Sequence, residues 1–199
     1  MKPAMLALLL LSACGPLVQI GGNSTPPDSL LTLNATTAPI PYAGPAQRTD
    51  TIGVDIPGVP AVLQTLRLPV TTSATEVSYL VGAAWAEQPN RQFQRLLADT
   101  LAANGFAVVD LRQSNIAPAR TVTGTLREFG LDVRDPANPV VRVRYDAQIA
   151  ATRSPASGVA LRRFEASAPA SNQSPTAVAA ALNQAANQLA AEVATWAKL

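Results

Sequence analysis

Three segments in the second half of the chain alternate between apolar and polar residues with a period of two, which predicts paired β-strands. One segment, 141–149, alternates without interruption, and 159–168 follows it after a turn at 154–158, so these two are expected to form a hairpin. The third segment, 121–134, changes phase by one residue near Arg127, which predicts a β-bulge. This part of the chain is therefore expected to form an antiparallel sheet with one buried face.

Two other segments follow the helical period. The first, 89–104, carries an apolar stripe at i, i+3, i+4 and i+8 and ends at an Asn-Gly pair, a common helix stop. The second, 174–198, begins with Ser174 as its cap and Pro175 at its first position, and its apolar residues form a single seam. The apolar positions of the two helices are Phe93, Leu96, Leu97, Leu101 and Val178, Leu182, Ala185, Leu189, Val193, Trp196.

Shorter runs complete the predicted domain. Strand-like runs are expected at 29–33, 51–56, 66–70, 76–81 and 106–111, with a helical turn at 61–65 and a proline-containing loop at 34–50. Together these elements predict one α/β domain of the α+β kind over 29–199. Its two main helices are expected to pack on one face of a largely antiparallel mixed sheet.

The beginning of the chain has a different pattern. A single charge, Lys2, precedes the apolar run Ala4–Leu11 and two small residues, which is typical of a secretory signal peptide over 1–13. The apolar run is shorter than the roughly 20 residues needed to span a bilayer. The next segment, 14–28, is rich in Gly, Pro, Ser and Asn, so it is predicted to be a flexible tether.

Cys14 is the only cysteine, and it closes the sequence Leu11-Ser12-Ala13-Cys14. This sequence resembles the lipobox of bacterial lipoproteins. The resemblance implies that the Cys14 thiol receives a diacylglycerol, that the chain is cut before Cys14, and that the new amine is acylated, for example with palmitate. Gly15 at the next position implies sorting to the outer membrane, with the domain facing the periplasm. The alternative is an ordinary signal peptide with a chance cysteine.

Composition excludes several classes of function. The 15 basic and 13 acidic residues nearly balance, which argues against nucleic acid or a strongly charged substrate as the main partner. There is no histidine, and Lys198, next to the last residue, is the only lysine after the signal peptide. Nucleophilic triads and most zinc or iron sites are therefore excluded. We predict no catalytic residue, metal site or cofactor; an enzyme that uses carboxylates alone would need a cleft with two acidic side chains.

Charged residues of the predicted strands form a second candidate feature. Arg142 and Arg144 are expected on the open face of the sheet, where they could bind lipid phosphates or an acidic partner. The alternative is a solvated face with local ion pairs to Asp146 and Glu165. The charged residues at 132–135 are interpreted as a strand end and turn rather than as a pair of catalytic carboxylates.

Aromatic residues around the first helix are a third candidate feature. Trp85 precedes that helix, and it is either core under the first turn or a partly exposed anchor for another protein. Phe93, on the helix itself, is grouped with it as a candidate partner contact. The polar back of the C-terminal helix leaves open the packing of a second copy, and thus a homo-oligomer.

These features together resemble the ABC-type transport auxiliary lipoproteins, a family that includes the lipoprotein of the paraquat-inducible Pqi system. The resemblance covers most of the chain after Ser29. The tryptophan-to-helix stretch is its most specific part, but Ala84 stands where an arginine commonly precedes the tryptophan, and Gln88-Pro89 replaces an apolar continuation. The matching runs are Leu31-Thr32-Leu33, Ile52-Gly53-Val54-Asp55-Ile56-Pro57, Leu68-Pro69-Val70, Ala84-Trp85-Ala86-Glu87 and Gln92-Phe93-Gln94-Arg95-Leu96-Leu97-Ala98-Asp99-Thr100-Leu101.

The resemblance implies a non-catalytic envelope protein that works with an MCE-domain protein and an ABC-type transporter to move phospholipid or other apolar molecules between the two membranes. Two other classes stay open. One is a lipid- or solute-binding carrier, which needs an apolar pocket between the sheet and the first helix. The other is a structural lipoprotein of an envelope assembly.

Overall fold

The computed structural model describes residues 29–113, 117–151 and 158–198. Within them the chain forms seven strands and two α-helices, with short 3-10 turns at Arg48–Asp50 and Ala61–Leu63. The order along the chain is β1 (Thr51–Val54), β2 (Arg67–Thr71), β3 (Val77–Ala84), α1 (Pro89–Ala103), β4 (Ala107–Val109), β5 (Arg120–Asp132), β6 (Val140–Ala151), β7 (Val159–Pro169) and α2 (Pro175–Trp196).

The long strand β5 organises the sheet. Along one edge it pairs antiparallel with β6, which in turn pairs antiparallel with β7. Along the other edge, two short strands pair parallel with β5 one after the other: β1 beside its first residues and β2 beside its last. Strand β4 extends the sheet beyond β1, and β3 extends it beyond β2, so the sheet forks on this side.

Both helices pack on one face of this sheet. Helix α2 lies across β7 and β6, and α1 packs against α2 and the fork that carries β1 and β4. Their apolar stripes meet the inward side chains of β6, where Val141, Val143 and Tyr145 are at most 1% exposed. The expected α+β domain, with two helices on one face of a largely antiparallel mixed sheet, is therefore confirmed.

The bulge is where the alternation predicted it. The register of β5 against β6 shifts between Leu126 and Glu128, so Leu126 and Phe129 both point toward the helices although three positions separate them. The run expected as a strand at 29–33 is reduced to a single parallel bridge between Leu31 and Trp85. The strand expected at 106–111 is shorter, because only Ala107–Val109 pairs with β1.

None of the helices in the described part of the chain is long and apolar enough to cross a bilayer.

Candidate functional site

The expected lipidation site, Cys14, and the expected tether at 14–28 lie outside the described residues. Leu31 makes the first backbone contacts with the domain: its N–H donates to the Ala84 carbonyl (2.8 Å) and its carbonyl accepts from the Ala86 N–H (2.9 Å). The chain thus enters the folded domain beside the end of β3, directly next to Trp85.

Trp85 belongs to the core, which corrects its expected role as a partner contact. Its side chain is 0% exposed and packs against Phe129 with the ring centroids 5.4 Å apart. Its backbone is held from both sides, by the bridge to Leu31 and by the N–H that donates to the Leu66 carbonyl at 2.7 Å. The indole N–H has no hydrogen-bond partner within the described residues. The core alternative left open by the sequence is the one that the structure shows.

Phe93 is equally inaccessible, so its expected role as a partner contact also needs correction. It is 0% exposed and lies edge-on to Tyr145 with ring centroids 5.3 Å apart. The Tyr145 hydroxyl donates to the Thr123 carbonyl at 3.0 Å. Burial of the Tyr145 side chain raises its pKa well above the usual value of a tyrosine. The aromatic pair therefore joins α1 to the centre of the sheet.

Arg142 and Arg144 do lie on the open face of the sheet, where the charged residues form three ionic rows. The first row joins β6 to the end of β5, and the other two cross β5, β6 and β7. In the first row, the Asp132 carboxylate accepts hydrogen bonds from Arg134 (Nε to Oδ1, 2.9 Å) and from Arg142 (Nε to Oδ2, 2.7 Å). The Asp132 side chain is only 7% exposed. The hydrogen bonds from Arg134 are the main reason that the pKa of Asp132 lies well below its usual value.

The second and third rows invert and then repeat this arrangement. In the second row, Arg144 lies between two carboxylates, with nitrogen–oxygen distances of 2.7 Å to Glu128 and 2.8 Å to Glu165. In the third row, Asp146 lies between two arginines, with nitrogen–oxygen distances of 3.0 Å to Arg127 and 2.7 Å to Arg163. The hydrogen bond from Arg163 is the main cause that lowers the pKa of Asp146 to about 2. The ion pairs with Asp146 and Glu165 that the sequence offered as the alternative are therefore present.

The rows carry different net charges. Two arginines share one carboxylate in the first and third rows, whereas one arginine serves two carboxylates in the second. Because the pKa values of Asp132 and Asp146 are both lowered, these carboxylates stay ionised at neutral pH. The face therefore alternates between local excesses of positive, negative and positive charge. No group of three or more potential metal ligands occurs in the part of the chain that the structure describes.

A cleft of about 320 Å³ opens beside the first row. Its walls come from the 3-10 turn at Ala61–Leu63, from β2 and from the turn between β2 and β3, and its floor is the last part of β5. The charged residues of its lining are Arg127, Arg134, Arg142, Glu128 and Asp132. The cleft thus holds two acidic side chains, and each of them is paired with an arginine. The apolar walls of the cleft thus lie next to the first ionic row, where two arginines share one carboxylate.

On the helical side, residues 31–36 run as an extended strap over both helices. The Leu33 N–H donates to Gln92 Oε1 of α1 at 2.7 Å. The Asn34 N–H donates to Asn183 Oδ1 of α2 at 2.9 Å. Further along α2, the Asn187 side chain accepts from the Thr36 N–H (2.8 Å) and donates to the Asn34 carbonyl (2.9 Å). The polar back of α2, which the sequence left open as a subunit contact, is partly covered by the chain's own strap.

Asn187→Ala is expected to loosen the end of the strap without unfolding the domain. The change removes two hydrogen bonds to the strap backbone, each worth about 1 kcal/mol. Hydrogen exchange of the Thr36 amide should accelerate by roughly tenfold, whereas amides within β6 should be unaffected. Gln184→Ala is the matched control, because Gln184 is an exposed amide side chain on the same helix. Equal acceleration in both variants would show that the strap is not held through Asn187.

The sequence did not predict the strap, because no pattern within residues 31–36 shows that they contact the helices. Backbone groups of an extended segment need partners, and here side-chain amides of two helices supply them. Asparagine is a poor helix former. The presence of Asn183 and Asn187 in the interior of α2 therefore indicates that their side chains form hydrogen bonds outside the helix. Nothing in the spacing indicated which segment they would hold.

Solved structures share this fold. A crystal structure of a Xanthomonas campestris protein of the family DUF330 matches with a TM-score of 0.71 at 22% identity, over 85% of this chain and 94% of that chain. A crystal structure of a protein described only as uncharacterized matches with a TM-score of 0.64 at 17% identity, over 78% of this chain and 96% of that chain. At these identities the similarity supports the fold alone. No curated protein shows significant similarity to the chain.

The match to a known protein family covers most of the sequence. A family model described as the ABC-type transport auxiliary lipoprotein component matches residues 31–194. The matched range begins at the strap, includes all seven strands and α1, and ends within α2. The chain therefore belongs to the family of ABC-type transport auxiliary lipoproteins.

Proposed function

We propose that the protein is a non-enzymatic auxiliary lipoprotein that is anchored in the outer membrane through Cys14 and serves an ABC-type system for lipid transport. Family membership supports an auxiliary role beside an ABC-type transporter. The proposal adds an MCE-domain protein as the direct partner and lipid as the transported material. ATP hydrolysis by the transporter supplies the energy.

The strap is the observation that carries this proposal. The residues that follow the tether are fixed to both helices, so an anchor at Cys14 would hold the helical side of the domain by a defined attachment. The 17 residue steps from Cys14 to Leu31 reach at most about 60 Å when fully extended. The open face of the sheet, on the other side of the domain, is left accessible to a partner. This arrangement suits a protein that positions a partner relative to a membrane.

The chemistry of the open face supports a role in binding rather than in catalysis. In the described part of the sheet, each carboxylate of the three ionic rows is already paired with arginine. General acid–base catalysis by carboxylates needs a group whose pKa is near the working pH, whereas the pKa values of Asp132 and Asp146 are lowered. Paired charges of both signs instead favour complementary contact with a protein surface.

The carrier alternative requires room for an apolar cargo between the sheet and α1. Side chains that are fully buried fill this interval, among them Phe93, Leu97 and Tyr145. A lipid chain in this interval would have to displace these core side chains. We therefore rank a carrier behind the transport auxiliary role, and a purely structural lipoprotein remains the second candidate.

Site-specific cross-linking in the native envelope tests the proposal. A photo-reactive amino acid at Gln148, an exposed position on the open face, is expected to capture an MCE-domain protein, with its ATPase in the same complex. The same amino acid at Gln184, on the outer side of α2, is the matched control and should capture much less. Genes for an ATPase, a permease and an MCE-domain protein next to this gene would agree with that result. Capture of unrelated envelope proteins would support the structural role, and recovery of lipid alone the carrier.

A further inference from the structure

The cleft beside the first ionic row is large enough to hold a small ligand. Its volume of about 320 Å³ is at the lower end of such sites, which span roughly 300–1,000 Å³. Val62, Leu63 and Pro69 contribute apolar walls, and Val77 stands at its outer side with 48% of its surface exposed. A ligand that fits here is therefore small, and part of it is apolar.

The charged side chains that line the cleft favour an anion, because three arginines outnumber the carboxylates of Glu128 and Asp132. Asp132 is nearly buried and binds Arg134 and Arg142 together, so this pair of arginines retains one unit of positive charge. Arg142 contacts Asp132 through Nε, and its two Nη groups have no hydrogen-bond partner among the described residues. These groups form a planar fork that matches two oxygens of a phosphate or carboxylate. Asp132 holds the fork in place, so little side-chain entropy would be lost when an anion binds.

We propose that this cleft binds the phosphodiester headgroup of an anionic phospholipid, with the phosphate on Arg142 and Arg134 and the glycerol backbone against the apolar walls. The small volume admits a headgroup and excludes whole acyl chains, which would stay in a membrane or in a partner protein. The site would recognise lipid rather than carry it. The biological significance of headgroup binding rests on the proposed transport role, but the binding itself can be tested with the isolated protein.

The third ionic row supplies a matched control on the same face. Arg163 also belongs to a row in which two arginines share one carboxylate, but it does not line the cleft. Arg163→Gln therefore removes the same charge as Arg142→Gln from the same side of the sheet. Arg142→Gln leaves Asp132 paired with Arg134, so the variant is expected to fold. Arg134→Gln is the second variant, because it leaves Asp132 paired with Arg142.

The test is native mass spectrometry of the full chain, released from non-ionic detergent that contains equal amounts of phosphatidylglycerol and phosphatidylcholine. We expect one bound phosphatidylglycerol in preference to phosphatidylcholine, and a loss of at least about tenfold in Arg142→Gln and Arg134→Gln, but not in Arg163→Gln. Glycerophosphoglycerol should displace the lipid, whereas the same concentration of inorganic phosphate should not.

Three results would overturn the proposal. The first is absence of a preference for phosphatidylglycerol in the unaltered protein. The second is an equal loss of binding in Arg142→Gln and Arg163→Gln, because that would indicate attraction by net charge without a site. The third is displacement by inorganic phosphate as effective as that by glycerophosphoglycerol, because the cleft would then bind free phosphate. None of these results depends on capture of an MCE-domain protein, so failure of the site and failure of the proposed function can be told apart.

Discussion

Trp85→Ala is expected to destabilise the domain by about 3–5 kcal/mol, which is a large part of the stability of a typical domain. The indole is fully buried, and it packs on Phe129 where the segment after the tether meets the end of β3. Removal of the ring leaves a cavity that Leu31 and the backbone around it cannot fill without moving. The measurement is urea unfolding of the purified protein, followed by circular dichroism.

Trp85→Phe is the matched control for this prediction. It keeps an aromatic ring against Phe129 and removes the buried indole N–H, which lacks a partner in the described structure. A buried donor without a partner is itself unfavourable, so this variant should lose clearly less stability than Trp85→Ala. Loss of MCE-protein capture in Trp85→Ala without any loss of stability would return Trp85 to the role of a partner contact. It would also contradict the core location.

Cys14→Ser is expected to move the protein almost completely from the membrane fraction to the soluble fraction. A serine cannot form the thioether to diacylglycerol, and the apolar run at Ala4–Leu11 is too short to span a bilayer by itself. Two or three acyl chains give durable anchoring because each buried CH2 contributes about 0.8 kcal/mol. The measurement is membrane fractionation after a high-salt wash, combined with metabolic labelling by a palmitate analogue.

Ser24→Ala is the control for Cys14→Ser, since it changes a small residue of the expected tether and leaves the lipobox-like sequence intact. It should keep both the label and the membrane attachment. Labelling of Cys14→Ser at the level of the unaltered protein would refute lipidation at Cys14. Persistent attachment of an unlabelled Cys14→Ser protein would show that protein contacts, rather than acyl chains, hold it at the membrane.

The local patterns in the sequence were sufficient for much of the fold. Period-two alternation located β6 and β7, and the phase change in β5 located its bulge, because a strand with one buried face has little freedom of register. The apolar stripes and caps located α1 and α2 to within one or two residues at each end. These features depend on residues that are close together in the sequence, which is why a single sequence is enough to find them.

Long-range features were not predictable in the same way. The short strands β1 and β2 both pair with β5, and nothing in their own residues indicates that they share one of its edges. The open face was expected to carry either a basic stripe or ion pairs. The alternation of charge excess between its rows depends on Asp132, which was expected at a strand end and turn and is the last residue of β5. Its position between two arginines was not predicted. A tryptophan beside a helix is compatible with both core and surface, and only its neighbours decide between them.

The strap has a consequence for the order in which the protein is completed. Asn34 and Asn187 are separated by 153 positions, so the residues nearest the expected anchor find their partners only after α2 has been synthesised. The strap can therefore close only when α2 is present. A truncated chain without α2 would lack the acceptors for the Asn34 and Thr36 amides and would leave that attachment open. Strap closure thus makes the attachment near the expected anchor depend on a helix that lies far along the chain.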